Sequence, residues 1–187
     1  MQEFAAIDSD FLSHLVDIND TGDAYDLIVR FFGELDFTVV MHPLVRKYEI
    51  NPNKSTLEDK LFSEGVITVP ELADIWSNKP GGKRFYEIMV KEMYTRFTGQ
   101  QYPCTDVCSE WKKQDDLGEI HTAAMCVFMG YGYLLSDDKS VVKKLGGVIS
   151  RVTQASVQIL NRDLCCDILK SRGLMKSNER NRLCHKT

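Results

Sequence analysis

Apolar residues along the chain fall into short continuous runs and longer runs at helical spacing, and the two kinds alternate. Phe4-Ala5-Ala6-Ile7 is a continuous apolar run closed by Asp8, which predicts a buried strand with an acid at its carboxyl tip. Phe11, Leu12, Leu15, Val16 and Ile18 then recur at helical spacing, with Asp10 as the expected cap. After the turn signal Asn19-Asp20-Thr21-Gly22-Asp23, a second apolar stripe runs through Tyr25, Leu27, Ile28, Phe31, Phe32 and Leu35. Phe37-Thr38-Val39-Val40-Met41 is short and β-branched and predicts a second strand, ended by His42-Pro43. A helix is expected from Leu44 to Glu49, broken by Asn51-Pro52-Asn53, and Gly65–Val69 reads as a short strand or extended link.

The loop Asn78-Lys79-Pro80-Gly81-Gly82-Lys83 separates helical stretches at about 70–77 and 83–98. Another helix is expected to start near Cys108, and residues 119–129 read as a helix with an Ala/Met/Cys face. Tyr133–Ser136 predicts a strand, Ser140–Leu145 a short helix, Gly146-Gly147 a turn, and one more strand is expected within Val148–Leu160. The stretch 163–183 reads as helical with an interruption at Gly173. Strands alternating with helices predict an α/β three-layer sandwich with a mostly parallel central sheet. Ligand sites of such sheets lie beyond the carboxyl ends of the strands, where Asp8 and the pair Asp137-Asp138 are expected.

Composition narrows the class. A chain of 187 residues, 43% hydrophobic and 27% charged, suits one ordinary globular domain. No apolar run approaches a membrane span, and Met1-Gln2-Glu3-Phe4 has no basic leader region, so a cytoplasmic protein is expected. Six cysteines include no C-x₂-C pair, which predicts reduced, mostly buried thiols. Net charge is −4 but unevenly spread: residues 139–187 carry eleven Lys/Arg against Asp163, Asp167 and Glu179. Such asymmetry points either to a polyanionic partner or to a solvated basic tail.

The acids carry the candidate chemistry. Asp8 and Asp138 at strand ends, Glu119 in the first turn of its helix and Glu49 after the second strand are candidates to converge. Bare, four converging carboxylates repel, and a divalent cation resolves that repulsion. The competing reading makes acids after strands helix caps, a role open to Asp10 and Asp137. Ser9 and Ser136 adjoin the proposed ligands and are candidates to hydrogen-bond them. His121, two positions past Glu119, is expected away from that face, and Trp76 and Trp111 read as core or interface anchors.

Asp8-Ser9-Asp10-Phe11-Leu12 resembles the D-x-[ST/N]-x-L opening of PIN domains. Glu119 through Ala123-Ala124 to Leu134-Leu135-Ser136-Asp137-Asp138 is similar to that family's acid, Ala-rich helix, strand and closing acid, with the family's spacing from Glu119 to Asp138. Asn161–Leu164 and Ile168–Leu174 resemble its closing helix. The resemblance covers about a third of the chain, at both ends. It implies a metal-dependent endoribonuclease with Mg²⁺ or Mn²⁺ held by Asp8, Glu119 and Asp138, and by Glu49 through its place after the second strand. Asp137 substitutes if the register slips by one. In-line attack by water on RNA would leave 5′-phosphate and 3′-hydroxyl ends. Lys139, Lys143, Lys144 and Arg151 are the expected phosphate contacts.

The resemblance also implies a toxin of a toxin–antitoxin pair, hence a cognate antitoxin as partner, and a homodimer. Two departures stand against it: residues of about 51–112 exceed what a PIN domain needs, reading as a helical insertion, and the chain is acidic overall. Both fit an alternative, an inactive PIN-like protein-interaction module. Residues 163–187 are expected to form a basic C-terminal helix and tail.

Overall fold

The apolar runs become strands buried on both faces, as parallel sheets require. A computed structural model describes residues 3–17, 23–50, 56–77, 79–112 and 116–184. The first strand, β1 (Glu3–Ile7), lies at the centre of a five-stranded, all-parallel sheet. It pairs on one side with β2 (Phe37–Met41), Ala5 opposite Val39, and on the other with β4 (Tyr133–Leu135), Ala5 opposite Tyr133. Strand β3 (Ile67–Thr68) adds to β2 and β5 (Gln158–Leu160) to β4, giving the order β3-β2-β1-β4-β5. The chain therefore builds outward in one direction from β1, then returns to build in the other. The boundary between β1 and β4 is the topological switch point.

Alternation within the strands divides the interior into two cores. Ala5, Ile7, Val39, Met41 and Leu135 face one, with helices α1 (Ser9–Val16), α2 (Ala24–Glu34), α4 (Thr56–Ser63), α9 (Arg162–Ser171) and α10 (Ser177–Cys184). Ala6, Val40 and Leu134 face the other, with α5 (Asp74–Ser77), α6 (Gly82–Thr98), α7 (Leu117–Met129) and α8 (Gly146–Thr153). A short helix α3 (Pro43–Tyr48) follows β2. This is a three-layer α/β sandwich. No helix among the described residues is long and apolar enough to cross a membrane.

Several boundaries differ from the sequence expectation. Gly146-Gly147 is no turn: a π-helical turn (Val141–Leu145) runs straight into α8, whose Val148 and Ile149 are buried. Burying that face outweighs the glycines' poor helix propensity. The strand expected within Val148–Leu160 is β5, at the end of that stretch. No helix starts near Cys108. There the Asp106 carboxylate accepts from the Cys108 and Ser109 amides, a local turn that competes with helix formation. The cap of α1 is Asp8 rather than Asp10. The turn expected at Asn19–Gly22 and the helix break at Asn51–Asn53 lie outside the described residues.

The region expected as an insertion is woven into the sandwich. It supplies the edge strand β3 and helix α4 to one side, and α6, which packs on α7 and α8, to the other. Helix α6 ends at Gly99, whose left-handed backbone (φ 76°) suits glycine. The C-terminal stretch forms α9 and α10, and two of its cations are matched within the fold, Arg180 with Asp163 and Asp167 and Arg182 with Asp23, while its acid Glu179 pairs with Arg30.

Candidate carboxylate centre

Carboxylates meet at the switch point because two strand ends and two helix ends converge on it. Asp8 directly follows β1 and is buried. One of its oxygens accepts from the Phe11 amide at 2.8 Å, capping α1, while Oδ2 is buried with no hydrogen-bond partner. Asp138 follows β4 and caps the next helical turn through the amides of Ser140 and Val141. Buried Ser136 lies between the strand and Asp138, its hydroxyl accepting from the Asp138 amide at 3.2 Å. Glu119 occupies the first turn of α7. One oxygen from each of Asp10, Glu119 and Asp138 falls within 4.8 Å of the others.

Glu49 reaches the same place from the C-terminal end of α3. Its residue surface is exposed, but its carboxylate lies on the first turn of α7, against the Gly118 backbone. A Cβ at position 118 would stand 2.5 Å from both Glu49 oxygens, so only glycine leaves that seat open. Ser9 fixes the other side, its hydroxyl donating to Glu49 Oε2 at 2.6 Å.

The electrostatics follow from this crowding. Burial pushes Asp8 well above the ordinary carboxylate range, and the fields of Glu119 and Asp10 add to it, against the pull of the Ser136 hydroxyl and the Phe11 amide. Burial likewise raises Glu119 to about 7, with Glu49, Asp116 and Asp10 contributing. Glu49 is raised by burial, opposed by Ser9. At Asp138 partial burial acts upward, but the hydrogen bonds from Ser140 and Val141 outweigh it and hold the carboxyl low. Among the described residues, no Lys or Arg ion pair reaches Asp8, Asp10, Glu119 or Asp138.

Asp137 is placed elsewhere. It accepts from the Arg162 amide at 3.0 Å, from the Arg162 guanidinium and from His14 Nδ1 at 3.0 Å. Of the adjacent pair Asp137 and Asp138, only Asp138 joins the cluster, so Asp137 is not an alternate ligand. Asp10, expected only as a cap, is in the cluster. Its signal was present in the spacing: once Asp8 caps the helix, Asp10 stands in the first turn with its carboxylate unused. Lys139, next to Asp138, is exposed, as are Lys143, Lys144 and Arg151 on the helical turns that follow.

Behind the centre, buried His121 points away from Glu119, as expected. It belongs to a hydrogen-bonded chain with fixed direction. The Leu44 amide donates to His42 Nδ1 (3.2 Å), so His42 Nε2–H donates to Tyr86 Oη (2.9 Å). Tyr86 donates to His121 Nδ1 (2.8 Å), and His121 Nε2–H meets Tyr102 Oη (3.1 Å). Burial holds both imidazoles below their ordinary range, His121 at about 3. This chain ties α3, α6 and α7 together and so sets where Glu49 and Glu119 stand.

The all-oxygen donor set and the orphaned Asp8 Oδ2 suit a hard divalent cation such as Mg²⁺ or Mn²⁺. A second group, Glu87, Asp106 and Cys108, comes equally close. That group includes a thiol and its Glu87 pairs with Lys83, whereas among the described residues no Lys or Arg pairs with Asp10, Glu119 or Asp138. The chain matches no family model, no curated protein and no solved structure.

Proposed function

We propose that the chain is a Mg²⁺- or Mn²⁺-dependent endoribonuclease of the PIN-like kind, working at the Asp8/Asp10/Glu49/Glu119/Asp138 centre. The observation that carries this reading is three carboxylates within 4.8 Å, backed by a buried carboxylate oxygen with no partner, at the switch point of a parallel sheet. A divalent cation there would polarise a phosphoryl oxygen and acidify a water. The protein's own part is distinct. Asp138, held ionised by backbone amides, and Asp10 offer oxygens toward the cation. Glu119, raised to about 7, can hold or release a proton at its carboxylate near neutral pH. Ser9 keeps Glu49 in position. Lys139, Lys143, Lys144 and Arg151 supply cations for RNA phosphates. A role as the toxin of a toxin–antitoxin pair, with an antitoxin partner and a dimeric state, belongs to the same proposal.

The test pairs binding with cleavage. Mn²⁺ raises Tm, single-stranded RNA is cut in its presence, EDTA stops the reaction, and the Glu119→Gln/Asp138→Asn double variant loses both responses. RNA left intact by the wild type with Mn²⁺, or cut equally by the double variant, overturns the reading. A second reading, a non-catalytic interaction module, is favoured by exposed Phe85 and Ile88, one turn apart on α6 and 63% and 54% accessible. It gains if Mn²⁺ leaves Tm unchanged.

A further inference from the structure

Six cysteines are free thiols, but two of them are not apart: Cys184 Sγ on α10 lies 3.3 Å from Cys166 Sγ on α9. We propose that Cys166 and Cys184 form a reversible disulfide that staples the C-terminal helix to α9, with a hydroperoxide as the oxidant class. This inference is independent of the nuclease reading.

The geometry supports each requirement. The two sulfurs are in contact across a helix–helix seam, so bond formation needs only a small approach. Cys166 is buried and Cys184 half-buried, so the oxidant meets Cys184 first. The Cys184 thiol donates to Cys166 Sγ, and Arg180, one turn earlier, favours the thiolate at this more exposed sulfur against the upward pull of burial and Asp163. Cys166 is buried behind it, with its thiol pushed up, and so waits as the resolving thiol.

The steps balance. The Cys184 thiolate attacks one peroxide oxygen, the O–O bond breaks, and the leaving oxygen takes up a proton as water or alcohol, leaving a sulfenic acid at Cys184. The Cys166 sulfur then attacks the Cys184 sulfur and gives up its proton, and hydroxide leaves as water. In sum, two thiols are oxidised to one disulfide while one hydroperoxide is reduced to water and its alcohol, or to two waters from hydrogen peroxide.

A staple has something to do here. Helix α10 buries one side chain, Leu183, and is otherwise held by ion pairs at the surface, each worth little. Yet the Leu183 carbonyl accepts from Arg162 Nη1 at 2.6 Å, and Arg162 grips Asp137 beside the carboxylate centre. Fastening α10 therefore fastens the support of that strand end.

The experiment treats the full chain with one equivalent of hydrogen peroxide and maps peptides without reduction. The expected product is a Cys166–Cys184 cross-link lighter by two hydrogens and reversed by dithiothreitol. It is absent in Cys184→Ser and in Cys166→Ser, and retained in Cys165→Ser. Proteolysis within α10 slows about tenfold or more on oxidation. Should the serine variants fail to fold, blocking Cys184 in the native wild type with iodoacetamide must equally abolish the cross-link. A cross-link through Cys165, over-oxidation of Cys184 without a cross-link, or unchanged proteolysis of α10 overturns the proposal.

Discussion

Asp137 and Asp138 are neighbours in sequence and opposites in environment. Asp137 sits against a cation of its own protein, with the Arg162 guanidinium and His14 Nδ1 both on its Oδ2. Asp138 faces Asp10 and Glu119, and among the described residues no Lys or Arg pairs with any of the three. One region answers its buried negative charge from within. The other buries gathered negative charge and leaves it unanswered: burial above all, with the neighbouring acids adding, raises Glu119 and Asp8 and weakens the metal-free fold. Asp8 and Asp138 serve folding as caps, but the gathering of the acids costs the metal-free fold, which is the ground for the proposed cation site.

Removing charge therefore has opposite effects in the two regions. The largest effect is expected at the Asp137 latch. Arg162→Met takes away the cation but leaves Asp137 largely enclosed, and also strips hydrogen bonds from the His14 and Leu183 carbonyls. Breaking one side of a buried pair costs about 3–5 kcal/mol. Urea unfolding at neutral pH measures it, and a loss below about 1 kcal/mol would show that the latch is not a buried pair in energetic terms.

At the carboxylate centre the sign reverses. Glu119→Gln stabilises the metal-free protein at pH 8 and removes its response to Mn²⁺. The pH dependence fixes the sign. The Glu119 carboxyl is raised from 4.5 to about 7 in the fold, so between those values the folded chain keeps a proton that the unfolded chain has released. Its contribution to stability is complete below the unfolded pKa and lost as pH rises through about 7, an effect of about 3 kcal/mol at most. Without metal, Tm accordingly falls between pH 5 and pH 8, and Glu119→Gln flattens that fall. With Mn²⁺ the stabilisation is larger at pH 8 than at pH 6, since the ion competes with the proton for the same oxygens. A wild-type Tm that rises over this range in EDTA would contradict the crowding.

The contrast also shows what the sequence could and could not carry. Strand ends were legible: Asp8 follows an apolar run and Asp138 follows another, so the sheet's period placed both at one edge. The choice between Asp137 and Asp138 was not. Both lie past the end of β4, where the alternation of a strand no longer applies, and the partner that decides the matter, Arg162, is 25 residues away. Asp10 was hidden by a local rule, because an acid near a helix start reads as a cap until Asp8 is seen to do that work. Gly146-Gly147 was misread for the converse reason, since local propensity yields to the burial of Val148 and Ile149.

The smallest expected effect tests the seat of Glu49. Gly118→Ala adds one methyl group at 2.5 Å from both Glu49 oxygens, a contact that must be relieved. The obstructing atoms are the end of a flexible side chain, so Glu49 swings outward and the fold is spared. Alanine in place of glycine within a helix contributes up to about 1 kcal/mol of its own. Tm in EDTA should therefore stay level or rise slightly. The cost appears only where Glu49 is used: it leaves the first turn of α7 and its bond from Ser9, and the Tm shift with Mn²⁺ shrinks. Glu49→Gln, which keeps the seat filled but removes the charge, should shrink that shift in the same direction. If Gly118→Ala leaves the Mn²⁺ shift intact while Glu119→Gln abolishes it, Glu49 stands outside the working centre, and that centre reduces to Asp8, Asp10, Glu119 and Asp138.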